Sequence, residues 1–161
     1  MDLKSYKQNV LGIIYNNEWK VCIGKYNSEF PSWMFPKWWV KKWETLEQAL
    51  WREINEELWI YQHECCIIPW FNKVFIKEYT DEERQWKIEK KWEYDYWKQE
   101  NIYLVKFLGD SSCITCNDEE FSEIKWVDVC DLWLYITNKA LLSSIDIIDL
   151  SETILNANKC D

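Results

Sequence analysis

Glycine is far below its usual share in this sequence, with three residues in 161, where an ordinary protein carries about 7%. Histidine is scarcer still: the single His63 leaves no imidazole partner for a zinc site. No apolar run approaches the roughly 18 residues of a membrane-spanning helix, and nothing at the N-terminus reads as a signal peptide. The expectation is a cytoplasmic protein with no membrane partner. Positive charge is also in deficit, 19 Lys and Arg against 28 Asp and Glu for a net charge of −9. That balance excludes a broad nucleic-acid-coating surface, whose affinity comes from neutralising many phosphates. Low-complexity segments, repeats and linkers are absent, and the length predicts one domain over 1–161 with a core that needs no staples.

What is present begins with seven cysteines. An odd number without a secretory signal fits reduced thiols serving as small apolar side chains. Cys113 and Cys116 form a lone CxxC with no second pair to complete a metal site.

Asn9 to Tyr15 and Lys20 to Tyr26 read as two apolar-rich strands joined by a hairpin turn over Asn16-Asn17-Glu18-Trp19. Cys65 to Tyr79 alternates and predicts strand with a break near Pro69, followed by a charged, exposed helix from Thr80 to Lys91. Asn101 to Leu108 is a buried strand, Ile124 to Val129 a short one, and Asn138 to Leu155 supplies one or two helices. His63 reads as a surface or turn residue.

The stretch Trp38 to Ile60, WWVKKWETLEQALWREINEELWI, holds the candidate chemistry. It reads as a short polar loop feeding a helix that starts at about Thr45, because Thr45 and Gln48 form a capping box and Glu44 and Glu47 suit the positive end of the dipole. Leu50, Ile54 and Leu58 recur at i, i+4, i+8 and fasten one edge to a core. At about 100° per residue, Glu53, Glu56 and Glu57 crowd an arc of about 100° on the adjacent, solvent-bordering edge. Three carboxylates so close repel unless a cation sits among them. Hard oxygen ligands with no His or Cys nearby select Mg²⁺ or Mn²⁺ over zinc; a merely solvated acidic face is the alternative.

Glu44, seven residues, then Arg52-Glu53-Ile54-Asn55-Glu56-Glu57-Leu58-Trp59-Ile60 resembles the Nudix box, G-x5-E-x7-R-E-U-x-E-E-x-G-U with U a bulky aliphatic. Trp38 and Trp59 stand where that pattern has glycine. Upstream, Trp33-Met34-Phe35-Pro36-Lys37-Trp38-Trp39 resembles the W-x-F-P-x-G-G of RNA pyrophosphohydrolases and dinucleoside polyphosphate hydrolases, and Tyr6-Lys7-Gln8-Asn9-Val10 resembles their Y-R-x-N-V. Tyr96-Trp97-Lys98-Gln99 is similar to a shifted Y-x-G-Q. Asp118 to Val127 resembles the segment E-F-x-x-x-x-W-V, with Glu120 at the glutamate that reaches from a loop to the attacking water.

The resemblance implies an α/β fold, a Nudix-type α/β/α sandwich with a mixed sheet and the Nudix loop-helix. It implies that Glu53, Glu56, Glu57 and Glu120 are catalytic and hold Mg²⁺ or Mn²⁺, with Glu120 or a box glutamate taking a proton. Arg52 is expected to pair with Glu44 as structural support. Lys7, Lys25 and Lys37 lie in segments that the family aims at substrate, so they are candidate phosphate contacts. The expected partner is 5′-triphosphorylated RNA, losing pyrophosphate, or a dinucleoside polyphosphate. A Nudix-fold binding module that has lost catalysis is the reading from another class.

The thirteen tryptophans are the counterpart of the missing glycine. Trp38, Trp39, Trp43 and Trp59 occupy places where the family has glycine, and Trp19 falls in a hairpin turn where a positive φ is usual. One cause would cover all five: a UGA codon read as glycine by the organism and as tryptophan by the table used for translation. Trp33 and Trp126 match family tryptophans and are expected to be genuine.

Overall fold

The computed structural model describes residues 6–117 and 119–158, with Tyr6 described in its backbone alone; both chain ends of the expected domain and Asp118 lie outside the described residues. The chain builds a mixed sheet of seven strands in the order β3-β2-β1-β6-β5, with β4 added to β1 and β7 to β2. The strands are β1 Tyr6–Tyr15, β2 Val21–Tyr26, β3 Trp33–Met34, β4 Lys37–Trp39, β5 Cys65–Glu78, β6 Trp97–Phe107 and β7 Phe121–Val127. The β1 and β6 pair is parallel, from Tyr6 against Trp97 to Tyr15 against Lys106. Every other pairing of the named strands is antiparallel.

Period-two alternation along β1 divides the core. Leu11, Ile13 and Tyr15 face one apolar cluster, and Val10 and Ile14 face the other. The first cluster is closed by Leu141, Leu142 and Ile145 of α4 (Lys139–Ile145) and Leu150 and Ile154 of α5 (Ile147–Ala157), after the short α3 (Leu132–Tyr135). The second is closed by Ala49, Leu50, Ile54 and Leu58 of α1 (Leu46–Leu58). Helices therefore cover both faces of a sheet whose central strands are apolar on both sides, the expected α/β/α sandwich.

The elements follow the sequence closely. Thr45 caps α1 as a full capping box, accepting from the Gln48 amide at 3.2 Å while the Gln48 side chain accepts from the Thr45 amide at 2.9 Å. Thr80 and Glu83 cap α2 (Asp81–Lys91) in the same way, and α2 has no buried residue. Strand β5 runs through Pro69 unbroken, with a register shift between Ile67 and Asn72 that accommodates the proline. His63 is exposed in a short 3-10 turn, Gln62–Glu64. The cysteines among the described residues are free thiols, and burial pushes that of Cys22 up to about 12.

Two differences concern the site. The segment before the box is not all loop: Lys37–Trp39 pairs with Asn9, Val10 and Leu11 of β1. Strand β6 starts at Trp97 rather than Asn101, because the polar Lys98-Gln99-Glu100 run gains its partners from β1 and β5 rather than from its own pattern.

Four non-glycine residues among those described have positive φ: Trp19 at 65°, Trp59 at 56°, Trp92 at 54° and Asp146 at 60°. No glycine does. Gly24 has a different reason to be small: a Cβ there would lie 2.4 Å from the Phe121 ring.

Candidate active site

Helix α1 is held rigidly because Leu50, Ile54 and Leu58 are fully buried. That anchoring fixes the direction of the acidic edge one step around the helix. Glu57 is more enclosed than its pattern suggests, at 9% exposure, whereas the Glu56 side chain is 54% exposed. Arg52 lies across the start of the arc. It donates to both Glu44 oxygens, at 2.5 and 2.9 Å, and also contacts Glu53, with Glu56 at 3.4 Å. The expected Glu44 and Arg52 pair is thus a two-point clamp between loop and helix. It holds the Glu44 carboxyl well below the usual range, chiefly through the Arg52 hydrogen bond.

Glu120 arrives from the loop before β7. The Asn117 amide donates to the Glu57 carbonyl at 2.8 Å, and the Asn27 amide donates to the Glu120 carbonyl at 2.7 Å. These two bonds tie the loop to the end of α1 and to the end of β2. Tyr26 stacks on Phe121 with ring centroids 5.2 Å apart. Tyr26, Asn27, Ser28, Ser32, Glu119 and Glu120 line a cavity of about 380 Å³.

Burial raises Glu57 to about 7, reinforced by Glu120, Glu53, Glu56 and Glu119. Burial also raises Glu53, against the lowering effect of its Arg52 hydrogen bond. Glu120 is raised by burial and by Glu53, and lowered by Lys37. The Tyr26 phenol is raised by burial and then by Glu120, Glu100 and Glu57. These mutual effects place Glu53, Glu57, Glu120 and Tyr26 in one electrostatic neighbourhood.

Glu57 Oε2 is buried with no hydrogen-bond partner. An orphaned carboxylate oxygen among like charges fits a divalent cation. Among the described residues no three acidic, His or Cys side chains converge on one point. The physical reason is that Arg52 holds Glu53 and Glu56 back while like charges spread.

The three lysines differ. Lys37 lies beside the acids, with Glu100 Oε1 at 3.7 Å. Lys7 is turned elsewhere: it donates to Glu93 at 2.7 Å and sits 3.1 Å over the Trp39 ring. Lys25 is on β2 next to Tyr26, its carbonyl accepting from Ser122 Oγ at 3.3 Å. Sequence reasoning missed Tyr26, Lys98 and Glu100. For Glu100 a signal existed, an acid two residues ahead of the apolar run Ile102 to Val105.

A family model described as NUDIX domain matches residues 5–145. The chain belongs to the Nudix family. It is 30% identical over 143 residues to an RNA pyrophosphohydrolase of Nitratiruptor, covering 85% of this chain and 87% of that one. An RNA pyrophosphohydrolase of Coxiella burnetii is 25% identical over 139 residues, 80% of this chain but 57% of the relative's length. An Ap4A hydrolase of C. elegans shares the fold, with a TM-score of 0.69 at 18% identity over 89% of this chain and 95% of that one. The chain is a Nudix hydrolase, of a family that generally uses divalent metal ions. No helix among the described residues is long and apolar enough to cross a membrane.

Proposed function

We propose that this Nudix hydrolase removes pyrophosphate from 5′-triphosphorylated RNA, with Mg²⁺ or Mn²⁺ held by Glu53, Glu56, Glu57 and Glu120. The observation that carries the substrate is the relationship, 30% identity across 85% of the chain, to an RNA pyrophosphohydrolase. The bound ions would neutralise phosphate charge and make a water nucleophilic at neutral pH.

The protein's own part is placement and proton handling. Glu120, which lines the cavity, or one of the box glutamates takes the proton of the attacking water. Lys37 offers an ammonium to the phosphates from the opposite strand, β4. Arg52, clamped to Glu44 and contacting Glu53, fixes the loop and helix rather than binding substrate.

The test is a competition between a 5′-triphosphorylated RNA oligomer and a dinucleoside tetraphosphate. The expected outcome is a kcat/KM ratio favouring the RNA, with pyrophosphate released and activity abolished by EDTA. A ratio favouring the dinucleotide tenfold or more makes dinucleoside polyphosphates the substrate; activity unchanged in EDTA overturns the mechanism.

A further inference from the structure

Glu100 is a carboxylate in the middle of a buried strand, 1% exposed. Its Oε1 accepts from Lys98 and lies 3.7 Å from Lys37 Nζ; its Oε2 is buried without a partner. The register explains the meeting. Glu100 of β6 stands opposite Asn9 on one side of β1, and Lys37 of β4 stands opposite Leu11 on the other. Both lysines are mostly enclosed, with side-chain exposures of 21% for Lys37 and 18% for Lys98. Burial, then Lys98, pulls Lys37 down to about 8, and Glu100 opposes the fall. Trp38, next to Lys37 on β4, packs in one buried cluster with Leu50, Ile54 and Leu58 of α1, so β4 carries this group alongside the helix that bears the acids; Lys37 lowers Glu120 in keeping with that placement.

Two ammonium groups on one carboxylate leave a surplus positive charge in a partly dry place. A phosphate chain lying against the acids' cations has oxygens left over on its far side. We propose that Glu100 is a positioning residue: it gathers Lys37 and Lys98 into a cationic pair that takes those phosphate oxygens. The inference rests on the polyphosphate-hydrolase reading and adds Lys98 and Glu100 to it.

The experiment measures binding of imidodiphosphate, a non-hydrolysable pyrophosphate analogue, by calorimetry with Mg²⁺, alongside KM and kcat on the RNA. Glu100→Gln keeps the shape and removes the charge. It should weaken imidodiphosphate binding at least tenfold and raise KM more than it lowers kcat, with Mg²⁺ affinity unchanged. In the double variant with Lys98→Met the losses should not add, because each removes the same arrangement. Additive losses, or Glu100→Gln binding within twofold of the parent, would overturn the proposal. If Glu100→Gln does not fold, Lys98→Met alone decides: a tenfold loss supports it, an unchanged affinity sinks it. Binding is read without turnover, so failure to hydrolyse RNA and failure of this inference are separate results.

A second inference stands on backbone geometry. Trp59 and Trp92 are the left-handed residues that end α1 and α2, their amides donating to Asn55 and Ile88 carbonyls at 3.0 and 3.2 Å. Trp19 closes the β1 to β2 hairpin, its amide donating to the Asn16 carbonyl at 2.9 Å. These are glycine positions by conformation. These residues are 51%, 59% and 79% exposed at Trp19, Trp59 and Trp92, so packing offsets little of the backbone cost. Asp146, by contrast, caps α5 through its carboxylate, a local compensation that Trp lacks.

We infer that positions 19, 59 and 92 are glycine in the protein the cell makes, through UGA codons decoded as glycine. The Trp92 position was not suspected from the sequence. Trp38, Trp39 and Trp43 are outside the left-handed region, and Trp38 is packed to 4% exposure, so the backbone makes no such demand of them. The gene should show UGA at all three positions, and the native protein's intact mass should fall by one Trp-to-Gly difference at each. Trp19→Gly, Trp59→Gly and Trp92→Gly in the chain as written should each raise Tm by about 2–4 °C or more. UGG codons, or a native mass equal to that of the written chain, end the inference.

Discussion

Glu57 is the residue on which the proposed chemistry and the stability of this protein pull in opposite directions. Its folded-state value of about 7 lies above the ordinary 4.5, so in the metal-free protein the folded chain binds the extra proton. Stability is then present at low pH and lost as pH rises from about 4.5 to about 7. Melts in EDTA across that window should show Tm falling with pH, and Mg²⁺ should remove the slope. Glu57→Gln deletes the repulsion, so its metal-free Tm at pH 7.5 should equal or exceed the parent's. Activity should move the other way, with Glu56→Gln and Glu57→Gln each losing about 3–4 kcal/mol of transition-state stabilisation, a typical scale for removing a preorganised electrostatic group. Strong destabilisation of either variant in EDTA would mean that the cluster is structural. The tryptophans belong to the same scale. A left-handed bulky residue costs about 1–2 kcal/mol, so three of them consume a sizeable part of a domain's usual stability of about 5–15 kcal/mol.

At the scale of the element, α1 converts burial into aim. Its apolar residues Leu50, Ile54 and Leu58 have no exposed surface, and the acids ride on the same rigid backbone. Ile54→Ala should cost about 2–5 kcal/mol by opening a cavity and should lower kcat as well, because the helix that carries Glu53 and Glu57 resettles. Thr45→Ala removes only the cap and should cost about 1 kcal/mol with kcat/KM little changed. Urea melts and initial rates on the two variants check both halves; equal kinetic damage from both would show that the acids' aim does not depend on the buried edge. The cap at Thr45 was legible because a capping box is a four-residue local pattern. Strand β4 was not, because three residues around Trp38 have no period to read and become a strand only by pairing with β1.

For the whole molecule, the net charge of −9 bears on the proposed RNA substrate. A long strand would be repelled, so binding should rest on the 5′ phosphates and the few lysines at the site. The dependence of log KM on log salt should therefore be shallow, equivalent to roughly two or three phosphates on the single-strand scale. A slope corresponding to many more would reveal a basic track that neither the composition nor Lys37 and Lys98 provides. The sequence by itself determined the Thr45 cap, the helix and strand periods and the acid spacing on α1, because each is written within a dozen neighbouring residues; the layered α/β class followed from the resemblance those residues carry. It also exposed the glycine deficit. Only the tertiary structure decided which lysine meets the acids, sending Lys37 to Glu100 and Lys7 to Glu93. It likewise brought Glu120 to Glu57 through the Asn117 amide, and enclosed Glu57 enough to shift its proton. Those outcomes depend on which strands lie side by side, a long-range choice made by the whole core that no local pattern encodes.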